Sequence, residues 1–288
     1  MVRKHAKLGW KKSRYQPSAI YHLKMPESAL PPSVNWDQFR PDVRDQGNVG
    51  SCVGFGIGGN ITSLAKRTGT YTEWFSPEWI YNGARFIEGD LSDDAGCMPV
   101  DAFQWLLKNG CLLEHFWPYD GFEAKAPPSS DEPMAAQWPI LSNVVVDGGA
   151  TGICSALAAG NMVSIGTPWF DKWMEPGPTG VLANVTADDV VDGGHETLAY
   201  GYDLTHNVFF IQNSWGKEWA KDGLCIMPMN ALKVFKQLGG YDANYPTVNW
   251  KPSPGPTPPP PTVSRMIQVS ESLDGGKTWT VVSQVNIK

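Results

Sequence analysis

The feature that most constrains this chain is the spacing of three short runs. Cys52 sits in Val43-Arg-Asp-Gln-Gly-Asn-Val-Gly-Ser-Cys-Val-Gly-Phe-Gly56. Far downstream come Gly193-Gly-His195-Glu-Thr-Leu-Ala-Tyr-Gly-Tyr202 and Phe210-Ile-Gln-Asn213-Ser-Trp-Gly-Lys-Glu-Trp219. A cysteine alone is most often a small buried hydrophobe. A cysteine followed at long range by a histidine and an asparagine is a candidate nucleophile for acyl transfer. Any fold for this chain must bring those three runs together.

Local patterns say how. Ser51 is a plausible N-cap, and Val53, Ile57, Ile61 and Leu64 recur at helical spacing behind it. Glycines 54, 56, 58 and 59 are poor helix formers. A central helix that packs closely on its neighbours tolerates them. Ser76-Pro77-Glu78 opens a second helix with proline at its first position. A third runs from Pro99 to Asn109 and stops at Gly110, and a short one covers Ile153 to Ala159. From Met162 onward short strands dominate. Helices first and sheet second imply an α+β body in two halves.

The strand 197–202 and the run 208–212 are joined by Asp203-Leu-Thr-His-Asn207, which reads as a hairpin turn. With the turn centred on Thr205, His195 lies opposite Trp215 and Thr197 opposite Asn213. His195 and Asn213 then become diagonal neighbours on one face, roughly 7–8 Å apart at the backbone. A one-residue slip would separate them.

These motifs resemble the papain family of cysteine peptidases, from about Leu30 to Thr247. The likeness is strongest around the four motifs and weak between Ala124 and Thr151. It implies a two-lobed fold, with a helical lobe, a β-barrel-like lobe and a cleft between them. It implies Cys52 as nucleophile, His195 as general base, Asn213 as its orienting partner and Gln46 as oxyanion donor. Trp215 falls where the family shields the His–Asn pair. A thiolate at a helix N-terminus facing an imidazolium is the resting state this implies. The family's substrate-contacting segments match Gly50, Gly96, Cys97, Met98, Pro99, Gly194 and Glu196. Met98 and Pro99 suggest an apolar side chain two residues before the cut. Glu196 is either a strand-face charge or a carboxylate inside that pocket. Val53 and Glu196 depart from the residues usual beside the nucleophile and the base, and neither removes a catalytic atom. The implied partner is a peptide or protein substrate, with no cofactor and no metal.

Net charge is −6, which gives no reason to expect nucleic-acid binding, and the basic run from Arg3 to Arg14 reads as a solvated tail. No apolar run approaches a membrane span. The five cysteines contain no Cys-x-x-Cys pair. Val49 stands where secreted relatives carry a disulfide cysteine, and Asp94-Ala-Gly-Cys-Met replaces the run that holds its partner. The expectation is therefore a disulfide-poor, cytoplasmic or otherwise intracellular enzyme of the prokaryotic or viral type.

Residues 1–30 read as an arm, too short for the family's helical prosegment. Its Trp10, Tyr15 and Tyr21 suit it to lie across the groove and restrain the enzyme. Residues 31–247 form the peptidase domain, and 248–262 a stiff proline-rich linker. Residues 263–288 form a hairpin whose Ser272-Leu-Asp-Gly-Gly-Lys-Thr-Trp279 turn resembles a single Asp-box. That hairpin is a candidate site for an interaction partner. Two other readings compete with an endopeptidase: a catalytically silent peptide-binding scaffold, and a structural or adhesion protein that works through the hairpin.

Overall fold

The computed structural model describes residues 7–14, 19–121 and 125–250, together with the backbone of two strands, 265–271 and 280–287. Three helices come first: α1 (Cys52–Thr68), α2 (Pro77–Glu88) and α3 (Pro99–Asn109). Their starts and stops follow local chemistry. Ser76 Oγ accepts from the Trp79 N–H at 3.1 Å with Pro77 in the first turn, and α3 stops at Gly110. A single turn, α4 (Glu132–Ala135), and α5 (Gly149–Ala158) follow, and α6 (Ala231–Gln237) comes late.

One eight-stranded sheet forms the second half. Its strands are β1 (Ile20–Tyr21), β2 (Ser33–Asn35), β3 (Ser142–Val145), β4 (Val163–Phe170), β5 (Val191–Asp203), β6 (Val208–Gln212), β7 (Leu224–Pro228) and β8 (Asp242–Thr247). The order is β1-β3-β8-β4-β5-β6-β7, with β2 against β5. β1 and β7 are not paired with each other, so the sheet is open and the barrel-like expectation is corrected. Beyond the body, β9 (Arg265–Glu271) and β10 (Thr280–Ile287) pair antiparallel. The Asp-box-like turn and most of the proline-rich linker lie outside the described residues. Val248 and Trp250, placed with the linker in the sequence, instead pack on the helical core, where Trp250 stacks on Phe75 at 5.4 Å.

Two apolar cores confirm the two halves. One gathers Ile57, Ile61, Phe75, Trp79, Phe103 and Leu106 among α1–α3. The other gathers Ile153, Leu157, Ile165, Trp169, Phe209 and Phe235 between the sheet and α5 and α6. α1 lies between them, buried along most of its length. Its glycines make this feasible. A β-carbon on Gly54 would stand 2.5 Å from Pro77 O, and one on Gly56 would stand 2.5 Å from Glu196 Cγ.

Gly54→Val is therefore expected to cost about 1–3 kcal/mol, because its neighbour is backbone and cannot yield cheaply. A lower urea midpoint at an unchanged m-value is the readout. An unchanged midpoint would count against close helix–helix packing at this point.

Candidate active site

Cys52 is the first residue of α1, where backbone N–H groups lack intrahelical partners and favour a negative charge. Ser51 occupies the N-cap position without capping through its side chain. Its hydroxyl instead bonds Tyr119 Oη at 2.7 Å, and Tyr119 passes its own proton to Gln46 O at 2.6 Å. The Cys52 thiol lies near the backbone N–H groups of Glu196 and Gly9. The helix start thus sits beside the strand that carries His195.

His195 Nε2 and Asn213 Oδ1 are 2.6 Å apart and buried. The hairpin expectation holds, by an unexpected route. Near the site the β5–β6 pairs are Leu198↔Gln212 and Ala199↔Ile211, a register that leads on to Thr197 opposite Asn213. Near the turn the pairs are Gly201↔Phe210 and Asp203↔Val208, one residue out of step. An irregularity between Ala199 and Gly201 absorbs the difference. His195 is enclosed by Trp215 at 4.5 Å and Trp169 at 4.8 Å, with Trp219 against Trp215 at 5.3 Å. Such an aromatic box keeps water from the His195–Asn213 bond. Trp219 ends the third motif run but was given no role in the sequence, and Trp169 lies outside the motifs altogether.

Gln46 is fixed from both ends. Its Oε1 accepts from Ser214 Oγ at 2.6 Å and its backbone N–H donates to Ser214 O at 2.8 Å. Its Nε2 donates to Val49 O at 2.8 Å and to Lys7 O at 2.9 Å.

That last bond introduces the arm. Residues 7–11 run along the cleft, with Trp10 bridged to Cys97. Cys97 N–H donates to Gly9 O at 2.9 Å, and Lys11 N–H to Cys97 O at 3.0 Å. On the other side Trp10 N–H donates to Gly194 O at 2.9 Å. Only glycine fits this crossing. A β-carbon on Gly9 would stand 1.8 Å from Gly50 O, and one on Gly96 would stand 1.9 Å from Gly9 O. From Lys7 to Arg14 the basic run is not a solvated tail, while Arg3 and Lys4 lie outside the described residues. Lys7 pairs with Asp94 at 2.8 Å and Lys11 with Glu88 at 3.0 Å, while Arg14 grips Asp101 through two hydrogen bonds. Of the arm's bulky residues, Trp10 enters the cleft, Tyr21 belongs to β1, and Tyr15 lies outside the described residues.

Burial and local hydrogen bonds pull the catalytic pair in opposite directions. Burial pushes the Cys52 thiol up to about 12, although N–H groups of Glu196, Gly9 and Val53 pull the other way. Burial lowers His195 to about 4 against the opposing Asn213 bond. His195 Nδ1 is buried with no hydrogen-bond partner among the described residues. Burial works against both charges of a thiolate–imidazolium pair, while the backbone N–H groups at the sulfur and the Asn213 bond at the imidazole work for them.

The remaining sequence candidates divide. Gly50, Gly96, Cys97 and Gly194 line the arm's path. Met98 touches Arg14 through its sulfur at 3.6 Å and precedes Pro99, the first residue of α3. Glu196 is fully buried against Gly56, so the strand-face reading is overturned. Asp242, at the start of β8, was not marked by any motif, yet it accepts the Trp10 indole N–H at 2.9 Å. A lone aspartate as the first residue of a strand carries no signal in sequence.

Trp10→Ala is expected to raise the alkylation rate of Cys52 by iodoacetamide at pH 7 by on the order of tenfold or more, since each unit of thiol pKa lost gives ten times more thiolate. Mass mapping of the labelled peptide with timed quenching measures it. A rate equal to wild type would show that the indole does not limit access.

Comparison with known proteins agrees with this geometry. The model of the family described as "Papain family cysteine protease" matches residues 30–236. A peptidase C1-like protein of Acanthamoeba polyphaga mimivirus is 26% identical over 196 residues, covering 64% of this chain and 63% of the relative. Cysteine proteinase B of Leishmania mexicana is 30% identical over 218 residues, covering 71% of this chain and 46% of the relative. The chain thus spans between about half and two thirds of the length of these curated relatives. Among solved structures, xylellain, a cysteine protease from Xylella fastidiosa, superposes with a TM-score of 0.75 at 25% identity, covering 86% of this chain and 100% of that one. Procathepsin L 3 from the larval midgut of Tenebrio molitor shares the fold at a TM-score of 0.63 and 19% identity, covering 80% and 75%. With its family match over most of its length and its α+β fold, the chain belongs to the papain family of cysteine proteases.

Proposed function

We propose that this protein is a cysteine endopeptidase that hydrolyses peptide bonds through a thioester on Cys52. The observation that carries the reading is the buried 2.6 Å bond from His195 to Asn213, beside a cysteine at the start of a helix. Cys52 Sγ gives its proton to His195, attacks the carbonyl carbon and forms a C–S bond. The displaced electron pair rests on oxygen, stabilised by Gln46 Nε2 and the Cys52 backbone N–H. Collapse breaks the C–N bond, and the proton on His195 leaves with the amine. Water then cleaves the thioester with His195 as base. Intact Cys52, His195, Asn213 and Gln46 favour turnover over a silent scaffold.

The arm is the restraint on this chemistry. The Lys7 carbonyl occupies the Gln46 donor that an oxyanion needs, and Gly9 takes the Cys97 pairing that a substrate backbone needs. The arm must leave before turnover. Five free, buried thiols support a reducing compartment. The C-terminal hairpin lies outside the family match and is assigned an interaction role separate from turnover.

Three substitutions test the roles. Cys52→Ala is expected to abolish hydrolysis of a peptide library while thermal unfolding stays cooperative. His195→Ala should cost about 10²–10⁴ in kcat, the range for a proton-transfer group. Asn213→Ala should retain more, because it supplies orientation and no proton. Equal losses at 195 and 213 would contradict separate roles. Residual hydrolysis by Cys52→Ala above background would remove the nucleophile assignment.

A further inference from the structure

The Trp10 indole sits in a pocket whose chemistry does not match the apolar wall expected from Met98 and Pro99. The floor is Gly166 of β4. A β-carbon there would stand 2.0 Å from Trp10 Nε1 and 2.3 Å from Glu196 Oε2, so the indole nitrogen and the Glu196 carboxylate converge over one bare glycine. Gly194 opens the side, where a β-carbon would stand 2.6 Å from the indole ring and 2.2 Å from Trp10 O. Asp242 closes the far end, holding the indole N–H at 2.9 Å and the Ser13 N–H at 2.9 Å.

The two carboxyls are treated unequally by the plug. Asp242 has donors. Glu196 is 1% exposed, and neither of its oxygens has a hydrogen bond among the described residues. The Ser164 hydroxyl lies near it but gives its own proton to Asn244 O at 3.1 Å. An indole offers one N–H, which is already spent on Asp242. A buried carboxyl without a donor is costly, and a second carboxyl beside it adds to the cost. Burial first, and Asp242 second, hold Glu196 well above the usual carboxylate range. A group with several donors and a positive charge would satisfy both acids at once, and a planar guanidinium carries five N–H groups.

We propose that Glu196 and Asp242 make the pocket now filled by Trp10 selective for a cationic side chain, arginine above lysine. This rests on the peptidase reading and names the substrate class of that site. Trp10 is a stand-in that fills the volume and meets one of the two acids. Its incomplete match lets a substrate compete for the same place. Asp242 becomes a specificity residue alongside Glu196.

The test uses the full-length chain carrying Trp10→Ala, which empties the pocket. Peptides varied among arginine, lysine, leucine and tryptophan at each of the two positions before the scissile bond are compared by kcat/KM. The expected result is a preference for arginine over leucine of at least roughly tenfold at one position, the size of one charged hydrogen bond. Adding Asp242→Asn or Glu196→Gln should reduce that preference, read as the arginine-to-leucine ratio of kcat/KM within each variant. These swaps keep volume, and an unfolding midpoint for each identifies any variant that has lost its fold. If either loses its fold, the other decides, since each predicts the same loss of preference. Leucine or tryptophan favoured over arginine, or an arginine preference that survives in the folded variants, overturns the assignment and leaves the peptidase reading intact. Failure to hydrolyse any peptide, both in this variant and in a chain from which residues 1–14 have also been removed, overturns the peptidase reading and this assignment with it.

Discussion

The close approach of α1 to both halves of the molecule is the constraint on which the site depends. Cys52 can face the histidine strand only if the first turns of its helix press against β5 and against α2 together. Glycine at 54 and 56 makes this possible, since side chains there would meet Pro77 O and Glu196 Cγ. The cost is intrinsic: each interior glycine disfavours the helix by roughly 0.5–1 kcal/mol relative to alanine. Burial against two cores offsets it, so tertiary packing and not propensity stabilises this helix. Moving the helix outward to accept β-carbons would take the thiol away from the Glu196 N–H and break the site without touching a catalytic atom.

Much of this was legible in the sequence because the relevant signals are local. Proline at 77 and 99 and glycine at 110 mark helix ends through backbone geometry, and the structure uses them there. The hairpin was legible in a subtler way. Counting back from a turn at Thr205 places Thr197 opposite Asn213, and the pairs nearest the site keep that register. The turn itself sits one residue out of step, and the irregularity around Tyr200 restores alignment before the site is reached. A β-irregularity depends on packing from neighbouring strands, here β4 and then β2 in succession along the edge of β5 opposite β6, so nothing within 197–212 announced it.

What the sequence hid is what depends on contacts between distant segments. Asp242 is the first residue of a strand with no motif around it, and only the fold brings it to Trp10. Glu196 looked like a strand residue free to face solvent, and burial against α1 removed that option. The open sheet differs from the barrel-like lobe expected from resemblance, since closure depends on whether edge strands meet and not on any residue type. The charge state of the site was hidden too. A helix N-terminus stabilises a thiolate, but that argument omits the arm, whose own Gly9 closes over the sulfur.

The arm therefore acts by two routes with different physical demands. Sterically, it places backbone where a substrate backbone would lie, which needs glycine at the crossing with Gly50 and Gly96. Electrostatically, burial of the site disfavours charge on the Cys52–His195 pair, while the arm's Gly9 N–H favours it on the sulfur. A thiol with a neutral imidazole carries the same number of protons as a thiolate with an imidazolium. Passage between closed and active forms therefore needs no net proton uptake from solvent, only transfer from sulfur to nitrogen once water returns. The steric route sets whether substrate can enter, and the electrostatic route sets whether the thiol left behind can attack. Under the restraint proposed for the arm, departure of residues 7–14 would free the cleft for substrate and readmit water to the Cys52–His195 pair in the same movement.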